Sequence, residues 1–128
     1  MLVKVTTDKT VSETAAALRA AVQDNGFGVM HVHDLKETMV KKGVDFNHEC
    51  LVFEVCQPQQ AKKVLESDMS LSTALPCRIS IYKEGDYTIL ATLKPTVLLG
   101  MFHEPQLESV ARDVESTILK IMDEAAAS

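Results

Sequence analysis

Two histidines, His31 and His33, lie two positions apart in VMHVHD (29–34). Residues i and i+2 of a strand project from the same face, so both imidazoles are free to reach one ion. A stable metal site needs a third or fourth donor. Cys50, Cys56, Glu54 and His48 are candidates on the facing surface, and Cys50 is the one assigned here as third ligand. Cys50 and Cys56 share a strand face but lie about 20 Å apart at strand rise, so at most one of them joins the histidines. Asp34 follows His33, points to the opposite face and is poorly placed to orient it. HxH alone is a weak motif, and the plainer reading is two partly exposed histidines beside a subunit interface.

A second constellation surrounds LPCR (75–78). Arg78 next to Cys77 suggests a guanidinium that lowers a thiol pKa. Adjacent strand residues face opposite ways, however. Cys77 shares parity with Ile79 and Ile81, which makes it a buried, inert thiol. Arg78 and Tyr82, four apart, have the chemistry to grip an anion. The plainer alternative pairs Arg78 with Glu54, across the strands or across subunits. In TVLLGMF (96–102), Leu98, Leu99, Met101 and Phe102 either line an apolar pocket or pack in a core or dimer interface. His103 and Glu104 precede Pro105 and read as the exposed approach to a helix. There is no GxSxG, glycine-rich phosphate loop or HExxH, so no standard enzyme constellation is visible.

These residues belong to a chain of 128 residues, long enough for one domain with a real core and no need of a disulfide or metal to fold. The net charge is −5, with the Lys and Arg dispersed, which argues against a nucleic-acid partner. Two Tyr, four Phe and no Trp offer little for base stacking. The three cysteines are an odd number without a CxxC and fit a reducing cytosol. The N-terminal MLVKVTTDKT shows no signal-peptide pattern, and the longest uncharged apolar stretch is far too short for a membrane span. The expectation is a cytoplasmic protein.

The pattern of elements is β-α-β-α-β-α-β-β-α. LVKVT (2–6) alternates as a strand. Thr10 and Glu13 form a capping box for a helix with Val11, Ala15, Leu18 and Val22 on one face, stopped at Gly26. FGVMHVHD (27–34) and HECLVFEVC (48–56) are strands, separated by a short helix ending at Gly43. Pro58 opens another short helix. After an irregular stretch, SDMSLSTALP, the segments 77–83 and 86–94 form a hairpin around Gly85 and Asp86. Pro105 starts a last helix with Leu107, Val110, Val114, Ile118 and Ile121 as its stripe.

This order predicts a single α+β domain, residues 1–128, with a mostly antiparallel five-stranded sheet and helices on one face. The covered face is expected to carry Val3, Val5, Leu51, Phe53, Val55, Ile79, Ile81, Ile89 and Leu93. The other is expected to carry Cys50, Val52, Glu54, Cys56, Arg78, Ser80, Tyr82, Thr88, Leu90 and Thr92. That second face is too apolar for free solvation and too polar for a core, which suits a dimer interface or a ligand surface.

From Leu51 to Pro95 the sequence resembles the domain of unknown function 302 family. The carrying features are a strand ending in Cys56 before Pro58, a short helix, LPCR at 75–78, the hairpin, and Pro95 closing the last strand. The first helix, the HD at His33 and Asp34, Gly43 and the last helix agree with it. Gln57 departs from the Asn that many relatives carry. The resemblance implies a helix-on-sheet α+β domain similar to TATA-binding-protein-like folds, often dimeric, and implies no activity.

The resulting expectation is a homodimeric ligand- or partner-binding module without catalysis. Arg78, Tyr82, Glu54 and Cys50 on the open sheet face form its ligand site. The alternative is a metal- or haem-binding or thiol-redox protein using His31, His33 and Cys50.

Overall fold

A computed structural model describes residues 1–127. Its first helix begins at the capping box. Thr10 Oγ1 accepts from the Glu13 N–H at 3.1 Å, and the Thr10 N–H donates to Glu13 Oε1 at 2.9 Å. Two of the unpaired amides at the helix start are thereby satisfied. Helix α1 then runs Val11–Asp24. Gly26, at φ +78, reverses the chain in a conformation that L side chains resist. Thr14 is buried on the inner face, and its hydroxyl donates to Thr10 O at 2.8 Å.

Five strands follow from the alternating segments: β1 (Leu2–Thr7), β2 (Gly28–Asp34), β3 (Cys50–Cys56), β4 (Cys77–Glu84) and β5 (Tyr87–Leu93). They form one sheet in the order β1-β5-β4-β3-β2, with every neighbouring pair antiparallel. Helix α1 and the last helix, α5 (Glu108–Ala126), cover one face. The core there combines Phe53, Val55, Ile79, Ile81 and Leu90 with Leu18 and Val22 of α1 and Ile118, Ile121 and Met122 of α5. Two β1-side residues fasten the end of α5: Thr7 Oγ1 donates to Ala126 O at 3.0 Å and Lys9 Nζ to Ala125 O at 3.1 Å. A cation and a hydroxyl at a helix C-terminus satisfy carbonyls that the helix leaves unpaired.

The facing of β5 corrects the expectation. Gly85, at φ +60, and Asp86 form a two-residue loop, so Glu84 pairs with Tyr87. Counting back, Ile81 pairs with Leu90 and Tyr82 with Ile89. Directly paired residues share a face. Leu90, Thr88 and Thr92 therefore lie on the core side, and Ile89, Ala91 and Leu93 on the open side. Thr92 Oγ1 donates to Arg78 O at 2.7 Å, whereas the buried Thr88 hydroxyl has no partner among the described residues.

Three further differences lie outside the sheet. The stretch expected to be irregular contains a 3-10 helix, Met69–Ala74, following α3 (Pro58–Ser67). The apolar connector after β5 is a short helix, α4 (Pro95–Gly100). Pro105 starts a single 3-10 turn, and the last helix begins at Glu108. A seven-residue helix, α2 (Leu35–Lys41), joins β2 to β3 as expected. Val64, Leu71, Leu99, Leu107 and Ala111 form a second buried cluster from α3, the 3-10 helix, α4 and the start of α5. Glu115 ties α4 to α5 by accepting from Thr96 N–H at 3.2 Å and Thr96 Oγ1 at 2.6 Å.

The β5 register makes a direct prediction. Leu90→Ala removes a fully buried side chain and is expected to lower stability by about 2–5 kcal/mol. Leu93→Ala, on the open side, is expected to cost under about 1 kcal/mol. Urea unfolding of both variants tests this, and a larger loss for Leu93→Ala contradicts the register.

Candidate functional site

The open sheet face carries a line of polar side chains whose positions follow from one irregularity. Strand β2 pairs Val29 with Val55, then shifts register and pairs His31 with Glu54. Met30 is the extra residue and is exposed. A bulge of this kind re-aims the side chains beyond it. Without it, His31 and His33 would follow Val29 toward the core. With it, both reach the open face while Val32 packs on the core side.

There the two imidazoles meet edge to face, with ring centroids 4.4 Å apart. His33 Nε2 lies 3.5 Å from Glu54 Oε1, and Glu54 Oε2 lies 3.2 Å from Arg78 Nη2. Glu54 and Arg78 are directly paired across β3 and β4, so the expected cross-strand ion pair forms within one chain. Its Arg78 end is more than half exposed, and such pairs contribute no more than about 1 kcal/mol. Cys50 does not join the histidines. It sits opposite Tyr82 at the other end of β3, and burial, followed by the nearby Asp34 carboxylate, raises its thiol pKa. Among the described residues no three His, Cys, Asp or Glu side chains gather into a group able to hold a metal ion. The His31–His33–Cys50 set is therefore not assembled in one chain: the bulge turns both histidines to the face that Cys50 shares, but they lie beside Glu54 and Val52.

A second feature lies where the ends of β3, β4 and β5 meet α3 and α4. A cavity of about 320 Å³ opens there. Val64, Leu98 and Leu99 line its helical side, and Cys56, Cys77 and Ala91 its sheet side. Leu2, Arg78 and Leu93, all exposed on the open face, complete the wall. The cavity and the polar line are thus continuous at Arg78. Helix α3 brings two amides to this wall. Gln57 caps the helix, its Oε1 accepting from the Gln60 N–H at 2.8 Å. Gln60 Oε1 is buried with no partner among the described residues, a condition worth about 1–3 kcal/mol of lost solvation.

The thiols here are poor nucleophiles. Burial raises the pKa of Cys56, and burial together with neighbouring Cys56 pushes Cys77 up to about 11. Cys77 packs against the main core, as its parity with Ile79 and Ile81 predicts. Leu98 and Leu99 do line a pocket, Leu99 and Phe102 also pack in the second cluster, and Met101 is exposed. The sequence reading placed a ligand on the open face at Arg78, Tyr82, Glu54 and Cys50. It offered Leu98 and Leu99 as pocket residues but did not join them to Arg78 or single out Gln60. The one available signal was the concentration of apolar residues in 96–102 opposite the LPC element.

The arrangement is an antiparallel α+β domain with a mainly apolar pocket at the end of its sheet. The family profile described as "Domain of unknown function DUF302" matches residues 3–125, and the chain belongs to that family. It is similar to a solved structure described as an uncharacterized conserved protein DUF302 from Bacillus stearothermophilus. The two are 31% identical over 97% of each chain, with a TM-score of 0.91. Comparison with the curated proteins gives no match. No helix among the described residues is long and apolar enough to cross a membrane.

The Cys77 thiol has a pH signature. Its pKa rises from 9.0 to about 11 on folding, so the unfolded chain loses that proton first. Its contribution to stability is complete below pH 9 and is lost as pH rises through about 11. Wild type is expected to lose stability across this window more steeply than Cys77→Ala, measured by urea midpoints. Parallel curves for the two proteins would refute the assignment.

Proposed function

We propose that this chain is a homodimeric, non-catalytic binding module that takes a small apolar molecule in the cavity at the end of its sheet. The observation that carries the reading is the cavity itself. Its volume of about 320 Å³ falls at the lower end of small-molecule pockets, roughly 300–1,000 Å³. Its wall is mostly apolar, and the orphan Gln60 Oε1 is an acceptor that a bound hydroxyl or amide N–H would satisfy. The protonated state of Cys56 and Cys77 at neutral pH favours binding over thiol chemistry.

The open face supports the dimer. It combines the half-buried Val52 and Tyr82 with the exposed Tyr87 and Leu93. It also carries the opposite charges of Arg78 and Glu54 close together. A two-fold contact places the same patch against itself, so a face with both signs is self-complementary. The three free thiols suit a reducing compartment, and the acidic net charge argues against a nucleic-acid partner.

Octan-1-ol is expected to raise the thermal midpoint of the wild type and to leave Ala61→Phe, which fills the cavity, unmoved. Differential scanning calorimetry reads both, and equal shifts in the two proteins would place the alcohol elsewhere. Sedimentation equilibrium is expected to show a dimer for the wild type and a folded monomer for Val52→Lys. A monomeric wild type contradicts the dimer.

A further inference from the structure

Arg78 is the only charged side chain lining the cavity among the described residues. It stands where the apolar wall meets the open face, and its side chain is 56% exposed. A guanidinium carries five N–H donors in a planar fork that matches a carboxylate. The ion pair with Glu54 places one of its nitrogens, Nη2, at 3.2 Å from a carboxylate oxygen. Glu54 is itself shared, since its other oxygen lies 3.5 Å from His33 Nε2. The remaining fork of Arg78 is therefore the positive feature at the edge of an apolar hole.

We propose that the cavity takes an anionic amphiphile, a monocarboxylate whose apolar tail lies against Val64, Leu98 and Leu99 and whose head engages Arg78. The inference rests on the cavity being a binding site and adds the class of molecule. A cationic head is disfavoured because it would meet Arg78 at like charge. A neutral hydroxyl can accept one N–H from the guanidinium but brings no opposite charge. The carboxylate gains a charge-assisted contact with a guanidinium held at the cavity edge.

Isothermal titration calorimetry of the full chain with octanoate, octan-1-ol and octylamine tests this. Wild type is expected to bind octanoate most tightly and octylamine least. Arg78→Gln is expected to weaken octanoate by up to about fivefold, the scale of an ion pair at an exposed guanidinium, with octan-1-ol changed less. Glu54→Gln removes the competing carboxylate and is expected to tighten octanoate severalfold, an independent check if Arg78→Gln does not fold. Octanoate and octan-1-ol binding alike in all three proteins overturns the head-group assignment and leaves the cavity standing. No binding of any of the three compounds to the wild type overturns both.

Discussion

Helix α5 has to satisfy two cores at once, and the rest of the molecule is arranged around that demand. Its second half, through Ile118, Ile121, Met122 and Ala125, closes the sheet. Its beginning, through Ala111, belongs to a separate cluster built from α3, the 3-10 helix and α4. A straight helix of this length extends about 28 Å, so one rigid rod sets the spacing between the two clusters. The contacts of Thr7 and Lys9 fix its far end, and Glu115 fixes its relation to α4.

The cavity lies between these two packed regions. Sheet residues such as Val55 and Cys77 reach it from one side and Val64 and Leu99 from the other. Protein interiors are normally filled to crystal-like density, so a space of this size has lining atoms that lack partners. An unpartnered amide oxygen at Gln60 adds a polar deficit to the apolar one. An apolar tail in the cavity would supply the missing contacts. The open face contributes the complementary element, because Arg78 belongs to the cavity wall and to the Glu54–His33 line together.

Local signals made much of the fold legible. The Thr10–Glu13 box, the alternation of Leu51, Phe53 and Val55, and the Gly85–Asp86 turn each state their element without help from the rest of the chain. Strand β5 was misfaced because apolar residues occupy both of its faces, Leu90 on one and Ile89, Ala91 and Leu93 on the other. Alternation carries no information in such a strand, whereas counting from a two-residue loop does. The Glu54–Arg78 pair was readable because it needs only the register of two adjacent strands. The facing of His31 and His33 was not, since it turns on a bulge at Met30 that leaves no mark in composition. Leu98 and Leu99 were readable as pocket residues, but the rest of the cavity was hidden for a different reason. Its walls come from segments distant in sequence, and a void is a property of how they fail to meet.

The most direct test of a preformed apolar cavity between two cores is xenon binding, followed by NMR of methyl-labelled wild-type protein. Xenon enters apolar cavities without needing polar contacts. Saturable shifts confined to the methyls of Val64, Leu98 and Leu99, with Val22 and Ile118 in the main core unmoved, are the predicted result. An absence of saturable shifts at those three residues, or equal shifts throughout the main core, would contradict it.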